Sequence, residues 1–453
     1  FTRFAEHLDL RMSGRQPALT VAGAGRAAVA AAVKAPATPA LTILHLPALR
    51  FGPHHRFGAG GLTAGDLDRD TLTSRILDDL TRLRDAQGLV PDLVVAAGDL
   101  TESGRPAEFE QARSMLTDLC AGLGLGTDRV VLVPGNHDVN RRLAQAYTLN
   151  AEADDEQPLR PYWPKWRPYA AMLNQLTGAE FAADQPWTYF EVPELKVAVA
   201  GLNSTMADSH LPGDHYGWLD TDQLRWFRDR LREVGRDGWL RIGVVHHPPG
   251  GSSDHEPSRL GDAWALADVL GPALHLTLTG PDHGDGIGWL GDARTPLVAT
   301  GSAATSPDDR PPTPGDYRII EIHPDRLRVW SRRYDRPRAR FIGDTSISET
   351  GDTWYRDLAV SLADAHAVFP QSDQSDQSDQ SGPGRPAAPA VVAAGTGRQE
   401  ARDPMDQVAE VLRLRLPAAT IRRIPLSDAT LLAGYLRVTV MRSSPPAPPE
   451  VYP

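Results

Sequence analysis

Two stretches decide the fold: residues 93–99, which read Leu-Val-Val-Ala-Ala-Gly-Asp, and residues 130–138, which read Val-Val-Leu-Val-Pro-Gly-Asn-His-Asp. Each is an unbroken apolar run that ends in a polar cluster, which is typical of strands buried on both faces. In open α/β sheets ligands gather beyond the carboxyl ends of the strands, so Asp99, Asn136 and His137 are expected at one rim. A carboxylate, an amide oxygen and an imidazole suit a divalent metal and phosphate chemistry.

The composition indicates an ordinary globular protein. The chain has 453 residues, of which 41% are hydrophobic and 23% charged, and its net charge is −11. The absence of a long basic run disfavours a nucleic-acid partner. No apolar run reaches about 18 residues, so we expect no membrane span. Cys120 is the only cysteine, which rules out an intrachain disulfide, and we expect a cytoplasmic location.

Strands and helices alternate along most of the chain, as in an α/β fold. A strand is predicted at 41–46, and regularly spaced leucine and isoleucine residues predict a helix from Leu72. A second amphipathic helix begins at Pro106, and a third spans about 221–234. The further predicted strands are 197–202, 242–245, 275–279 and 296–300, with a closing antiparallel pair at 317–322 and 327–332.

Changes in composition predict the domain boundaries. Residues 1–40 are expected to form a flexible lead-in, and residues 41–345 the main domain. Residues 140–190 are rich in aromatic residues and indicate an insertion, either a substrate cap or a satellite hydrophobic cluster. A Gln-Ser-Asp repeat marks 365–400 as a low-complexity linker. Residues 401–453 form a small C-terminal segment, which we interpret as the start of a further domain.

Four polar clusters follow predicted strands in a fixed order. They are Gly98-Asp99, Gly135-Asn136-His137-Asp138, His246-His247-Pro248 and Gly280-Pro281-Asp282-His283. This ordered set resembles the calcineurin-like metallophosphoesterases over roughly residues 41–340. The resemblance implies an α/β fold, a layered metallophosphoesterase-like sandwich of two mixed β-sheets flanked by helices.

The resemblance also implies the metal ligands. In that family two metal ions lie side by side, about 3.5–4 Å apart in binuclear sites generally, and an activated water attacks phosphorus. By similarity, Asp99 would be the carboxylate that bridges the two ions. Asn136 and His246 would bind the second metal, and His283 the first.

The resemblance gives the second cluster a catalytic role. His137 would lie near the leaving group, where it would stabilise the transition state or donate a proton. Asp138 would orient His137, since a carboxylate can fix the position and tautomer of an imidazole.

Two motifs depart from the family pattern. The family opens with Asp-x-His, but Ala48 and Arg50 stand at those positions here. It ends with Gly-His-x-His, but Pro281 replaces the first of those histidines. The second metal position keeps three ligands and the first keeps only two, so we predict one divalent ion (Mn, Fe or Zn) rather than two.

Arg50 suggests a compensating role. A guanidinium at the lost metal position would restore positive charge, pair with Asp99 or grip a phosphate in a bidentate manner. The alternative is that Arg50 has no function and reflects sequence drift at a position that no longer binds a metal. Replacement ligands at Asp282, Asp285 or His247 are a further possibility, although each also suits an ordinary loop residue.

Two functional hypotheses remain open at this point. The first is a phosphoric ester hydrolase that hydrolyses or binds a phosphoester small molecule or a phosphorylated ligand, with a depleted metal site. The second is an inactive pseudophosphoesterase that serves as a sensing or scaffold module in a multidomain signalling or defence protein, with a further domain linked to it.

Overall fold

The computed structural model describes one continuous α/β unit. The chain divides between residues 374 and 375 into two units, and every described residue belongs to the first. Of the predicted linker, only residues 365–369 are described, and the predicted C-terminal segment lies outside the described residues. Of the predicted lead-in, only residues 39 and 40 are described. The described residues are 39–46, 48–53, 55, 72–250, 259–281, 286–291, 295–300, 316–335 and 338–369.

Thirteen strands and six α-helices are defined in the described part of the chain. The strands are β1 (Leu41–Leu46), β2 (Leu93–Ala96), β3 (Val130–Leu132), β4 (Thr188–Val192), β5 (Val197–Leu202), β6 (Leu240–Val245), β7 (Leu276–Pro281), β8 (Ile287–Leu290), β9 (Thr295–Thr300), β10 (Asp316–Ile322), β11 (Arg326–Asp335), β12 (Arg340–Gly343) and β13 (Tyr355–Ala359). The helices are α1 (Leu72–Gln87), α2 (Pro106–Leu123), α3 (Arg141–Ala153), α4 (Arg167–Thr177), α5 (Thr221–Arg236) and the short α6 (Ala263–Ala265).

The strands form two mixed sheets. The first has the order β12-β11-β10-β1-β2-β3, with β13 also paired to β11, and the second has the order β4-β5-β6-β7-β9-β8. The strands β1, β2 and β3 run parallel, as do β5, β6, β7 and β9. The carboxyl ends of these parallel strands therefore form the edge on which the candidate site is built.

Three apolar layers hold the sheets and helices together. The central layer joins side chains of both sheets, such as Val95 of β2 and Val244 of β6. The outer face of the first sheet packs against α1, α2 and α4, and that of the second packs against α5 and the chain around α6. The predicted sandwich of two mixed sheets flanked by helices is confirmed.

The aromatic insertion at 140–190 packs into the main core. Trp166 and Tyr169 are fully buried in the same apolar layer as α1 and α2, so they do not form a separate satellite cluster. The buried ammonium of Lys165 donates to the backbone carbonyls of Thr205 and Met206 at 2.9 and 3.0 Å, and also to that of Asp208. These bonds fix the insertion to the segment that follows β5.

The folded domain continues past the predicted boundary at residue 345. The strand β13 pairs antiparallel with β11, and Leu362 and Ala365 are buried against the central layer. The short, charged sequence of β13 carries little apolar periodicity, so composition alone placed the end of the domain too early. Among the described residues, no helix combines the length and apolar character needed to cross a membrane.

Candidate active site

The turn after β2 brings Asp99 to the rim. Gly98 and Asp99 both have left-handed backbone conformations, with φ of +91° and +54°. A Cβ on Gly98 would lie 2.6 Å from Nδ1 of His246 and 2.8 Å from the backbone nitrogen of Gly135, so only glycine fits there. The close approach of these backbones packs the three site-bearing turns against one another.

His246 links the two sheets. It follows β6 of the second sheet, and its Nδ1–H donates to the carbonyl of Ala97, after β2 of the first sheet, at 2.8 Å. The other ring nitrogen, Nε2, lies 3.1 Å from Oδ1 of Asn136 and 3.3 Å from Oδ1 of Asp99. With the proton on Nδ1, Nε2 carries a lone pair that faces the side-chain oxygens of Asn136 and Asp99.

This set of donors suits a divalent cation. An imidazole nitrogen, a carboxylate oxygen and an amide oxygen converge, and the carbonyl of Ala97 fixes the histidine tautomer that leaves Nε2 available. Among the described residues, no group of three His, Cys, Asp or Glu side chains comes together as a metal cluster. Within the described residues, the amide oxygen of Asn136 is therefore the third donor of this set.

Arg50 lies on the opposite side of the same carboxylate. Beyond β1 the chain runs alongside the turn after β2, and the N–H of Arg50 donates to the carbonyl of Asp99 at 2.9 Å. The guanidinium Nη2 of Arg50 lies 3.3 Å from Oδ2 of Asp99, the oxygen that does not face His246. The fully buried Ala48 contributes no ligand. Arg50 therefore provides the positive charge on that side of Asp99.

The buried carboxyl of Asp99 is held in its ionised form. Burial raises its pKa, but His246, His137 and Arg50 together outweigh burial and hold the pKa well below the usual range. The backbone N–H of His137 adds a hydrogen bond of 3.0 Å to Oδ1. An ionised carboxylate at this place is what cation binding requires.

His137 is oriented by a backbone carbonyl. Its Nδ1–H donates to the carbonyl of Glu102 at 2.9 Å, which leaves Nε2 as the ring nitrogen available to a substrate. The predicted orienting role of Asp138 is therefore wrong. The carboxylate of Asp138 instead accepts hydrogen bonds from the backbone N–H groups of Leu100, Thr101 and Gly135 and from the hydroxyl of Thr101.

Asp138 thus ties the turn after β2 to the turn after β3. It is fully buried, and burial, followed by repulsion from Asp99, raises its pKa to about 7 although its hydrogen bonds act in the opposite direction. These hydrogen bonds hold together the two turns that carry Asp99, Asn136 and His137.

The last motif is only partly visible. His283, Asp282 and Asp285 lie outside the described residues. The N–H of Gly280 donates to the carbonyl of His246 at 3.0 Å, which places the end of β7 beside the site. Nδ1 of His247, a predicted alternative ligand, pairs with the hydroxyl of Ser204 at 2.8 Å.

Several positioning groups carry no recognisable sequence signal. The carbonyls of Ala97 and Glu102 orient the two histidines, and every residue has such a carbonyl. Thr101 was also missed. It lies two residues after the candidate metal ligand Asp99, and this position could have indicated a hydroxyl that hydrogen-bonds within the turn.

The fold and the site together define the class of protein. A sandwich of two mixed sheets that presents an aspartate, an Asn-His pair and a histidine at one rim is the arrangement of a metallophosphoesterase. Residues 64–274, just under half of the chain, match the model of the family described as calcineurin-like phosphoesterase. The match includes Asp99, Asn136 and His246 and excludes the two departing motifs, at Ala48–Arg50 and at Pro281.

The chain is similar to several bacterial phosphodiesterases. It is 26% identical over 201 residues to a cAMP/cGMP dual specificity phosphodiesterase of Mycobacterium tuberculosis, which covers 44% of this chain and 49% of the relative. It is 27% identical over 216 residues to a probable cyclic nucleotide phosphodiesterase of Rhodococcus erythropolis, with coverage of 46% and 58%. The chain thus spans about half the length of these curated relatives.

Two further similarities cover more of the other protein. The chain is 25% identical over 313 residues to a 3′,5′-cyclic adenosine monophosphate phosphodiesterase of Pseudomonas aeruginosa, covering 66% of this chain and 93% of that protein. Among solved structures, a dimetal phosphatase from Danio rerio aligns with a TM-score of 0.43 and 12% identity, over 72% of this chain and 99% of that one.

Proposed function

We propose that this chain hydrolyses a phosphodiester of the nucleotide class with a single divalent ion, Mn, Fe or Zn, held by Asp99, Asn136 and His246. The observation that carries the proposal is the convergence of their three donor atoms, with Nε2 of His246 at 3.1 and 3.3 Å from the two oxygens. Three protein ligands with open positions are the usual arrangement of a catalytic metal site. An ion bound there supplies Lewis-acid chemistry, activating water and neutralising charge that develops on the phosphoryl group.

The residues around these ligands supply the remaining functions. Arg50 pairs with Oδ2 of Asp99 and is one-quarter exposed, so its guanidinium can also bind a phosphoryl oxygen. His137 keeps its Nδ1 proton on the carbonyl of Glu102, and in the doubly protonated ring Nε2–H would give its proton to the departing oxygen and leave the neutral imidazole. By the same resemblance, His283 would be a further metal ligand.

The names of the relatives support the substrate class. The proteins from M. tuberculosis, R. erythropolis and P. aeruginosa are all named for the hydrolysis of cyclic nucleotides. The identities are 25–27%, which supports a nucleotide phosphodiester as the substrate class rather than a particular nucleotide.

The test compares two leaving groups after loading the full chain with Mn²⁺. We expect His137→Asn to lower turnover of an alkyl phosphodiester such as 3′,5′-cyclic AMP by about 10²–10⁴-fold, the usual contribution of general acid catalysis. Hydrolysis of bis(p-nitrophenyl) phosphate should fall much less, because p-nitrophenolate departs without a proton. The exposed His366→Asn should leave both rates unchanged.

Equal losses on both substrates would contradict the proton-donor role of His137. A wild-type chain that binds metal but hydrolyses neither substrate would contradict the proposed hydrolase.

The ion pair between Arg50 and Asp99 favours a second candidate function. A guanidinium that occupies part of the site is also suited to hold a phosphorylated ligand without turnover, as in an inactive sensing or scaffold module. The low-complexity sequence at 371–380 supports a multidomain protein, and the single, buried Cys120 supports a cytoplasmic location. Phosphate binding without hydrolysis of either test substrate would favour this second function.

A further inference from the structure

A second arginine, Arg141, follows the site residues that lie beyond β3. It is the first residue of α3 and comes four residues after His137. Its Nε and Nη2 donate to the two carboxylate oxygens of Asp208, at 3.2 and 3.1 Å. Asp208 lies in the segment after β5, the strand of the second sheet that contacts β3. The ion pair therefore joins the two sheets at the β3 end of the site edge.

The guanidinium of Arg141 is fixed in place by its surroundings. Asp208 is 1% exposed, and the buried ammonium of Lys165 donates to its backbone carbonyl. The carbonyl of Lys165 in turn accepts from the N–H of Asn140, the residue before Arg141, at 3.0 Å. A carboxylate that pairs with Nε and Nη2 leaves Nη1 and the remaining hydrogen of Nη2 at the outer edge of the guanidinium. Among the described residues Nη1 has no hydrogen-bond partner, and the side chain is 35% exposed, so this edge is open to a ligand.

The charges around Arg141 favour an anionic ligand. Among the described residues, three cations and two carboxylates interact with one another here: Arg141, Arg160, Lys165, Asp208 and Asp214. Three positive and two negative groups leave one positive charge, although the whole chain has a net charge of −11. His215, whose Nε2 lies 4.0 Å from Oδ1 of Asp208, adds a further positive charge when it is protonated. An excess of positive charge on an acidic chain attracts anions to this place.

The order of the strands places the metal ligands between two arginines. The strands β1, β2 and β3 are neighbours in the first sheet, and neighbouring strands lie about 4.8 Å apart. Arg50 follows β1, Asp99 follows β2, and Asn136 follows β3 with Arg141 beyond it. A phosphoryl group bound by the metal and Arg50 is then one to two strand spacings, about 5–10 Å, from the guanidinium of Arg141. That separation is too long for one phosphate and suits a ligand with two anionic groups.

We propose that Arg141 binds a second phosphate of the substrate, carried by the leaving group that His137 protonates. The inference rests on the proposed function, which assigns the first phosphate to the metal and Arg50. His137 and Arg141 both follow β3, so the leaving group and the second phosphate lie on the same side of the metal. The open edge of a guanidinium suits phosphate because it makes two charge-assisted hydrogen bonds. The substrate class is therefore a nucleotide phosphodiester whose leaving nucleoside carries a further phosphate.

The test compares ligands with one and with two phosphonate groups on alkyl chains of equal length. The full chain is loaded with Mn²⁺, freed of unbound metal and titrated by calorimetry with hexylphosphonate and hexane-1,6-bisphosphonate, and with the corresponding octyl compounds. We expect at least one bisphosphonate to bind about 10- to 150-fold more tightly than its monophosphonate, the range that a hydrogen-bonded contact to a charged group supplies. Arg141→Ala should abolish this gain and leave the monophosphonate affinity unchanged.

Two further variants make the result specific to Arg141. Arg141→Ala leaves the buried carboxylate of Asp208 without its partner, which destabilises a fold. Arg141→Gln combined with Asp208→Asn replaces the ion pair by two neutral amides and should lose the same gain. Arg142→Ala removes the exposed arginine next in the chain and should keep the gain.

Three results would overturn the inference. The first is that neither bisphosphonate binds more tightly than its monophosphonate. The second is that the gain survives in both Arg141 variants, or is lost in Arg142→Ala as well. The third is that both Arg141 variants weaken the two kinds of ligand equally.

Hydrolysis separates this inference from the proposed function, because bis(p-nitrophenyl) phosphate has only one phosphate. A gain that depends on Arg141, in a chain that hydrolyses neither test substrate, would support the second phosphate site and contradict the hydrolase. Hydrolysis of bis(p-nitrophenyl) phosphate by a chain without such a gain would do the reverse.

Discussion

Arg50 and Asp99 face each other from two turns, and both adopt backbone conformations that non-glycine residues rarely take, with φ of +49° and +54°. Such conformations cost of order 1–3 kcal/mol each and persist where the surrounding structure demands them. Here the two turns pair with each other through the hydrogen bond from the N–H of Arg50 to the carbonyl of Asp99, and this pairing requires the two conformations. The geometry thus aims a guanidinium and a carboxylate at the same point.

We expect Arg50→Ala to weaken the binding of inorganic phosphate to the Mn²⁺-loaded chain by about 10- to 150-fold, since charge-assisted hydrogen bonds contribute about 1.5–3 kcal/mol. Arg50→Lys should recover only part of this affinity, because an ammonium cannot make the bidentate contact. Isothermal titration calorimetry gives the dissociation constants. Arg113→Ala removes an arginine paired with Glu110 on the surface of α2 and is the matched control. An unchanged phosphate affinity in Arg50→Ala would favour the alternative, that Arg50 reflects sequence drift at a position that no longer binds a metal.

At the residue scale, the sequence predicted which side chains would meet. Asp99, Asn136 and His246 each follow an unbroken apolar strand, and the carboxyl ends of such strands share one edge. The roles of individual side chains were less predictable. Asp138 was expected beside the ring of His137, but its carboxylate bonds to three backbone N–H groups and the hydroxyl of Thr101. Spacing along the chain does not reveal which way a buried side chain points.

At the element scale, Asp138 is the main polar link between the turns after β2 and β3. We expect Asp138→Ala to lower the free energy of unfolding by at least about 3 kcal/mol, because several buried N–H groups would lose their acceptor at about 1–3 kcal/mol each. Urea denaturation followed by circular dichroism measures the loss. The exposed Asp85→Ala is the control and should change the stability little. A loss as small as that of the control would contradict the linking role.

The same scale shows which elements periodicity can predict. The strand β1 and the helices α1, α2 and α5 were predicted because long apolar stripes define them. The strands β4, β8, β12 and β13 were missed. They have four or five residues each and carry half-exposed or charged side chains, so their pairing partners rather than their own sequence make them strands.

At the scale of the whole domain, the last described segment is bound by side-chain contacts to the edge of the second sheet where its parallel strands begin. Asp364 pairs with Nη2 of Arg241 at 2.6 Å and accepts from Nε2–H of His275 at 2.8 Å. Nδ1 of His275 accepts from the backbone N–H of Arg241 at 3.0 Å, so the ring is neutral. Burial and then Arg241 lower the pKa of His275, while Asp364 acts in the opposite direction.

This fastening predicts a dependence of stability on pH. His275 stays neutral in the folded chain but gains a proton in the unfolded chain below its ordinary pKa of 6.5, so its contribution to stability is lost as the pH falls through that region. The free energy of unfolding, from urea titrations at pH 5 to 8, should fall on acidification. The free energy of unfolding should fall less steeply with decreasing pH in His275→Gln than in the wild type. In the control His366→Gln it should fall as steeply as in the wild type. Identical slopes in all three chains would contradict the account.

The measurement that tests the central claim most directly is the metal content per chain. The full chain is equilibrated with Mn²⁺, Fe²⁺ or Zn²⁺, freed of unbound metal and analysed by inductively coupled plasma mass spectrometry. We predict about one ion per chain, lost in Asp99→Ala and in His246→Ala but retained in His366→Ala. Two ions per chain would contradict the replacement of one metal by Arg50. No bound ion, or one retained in His246→Ala, would contradict the proposed three-ligand site.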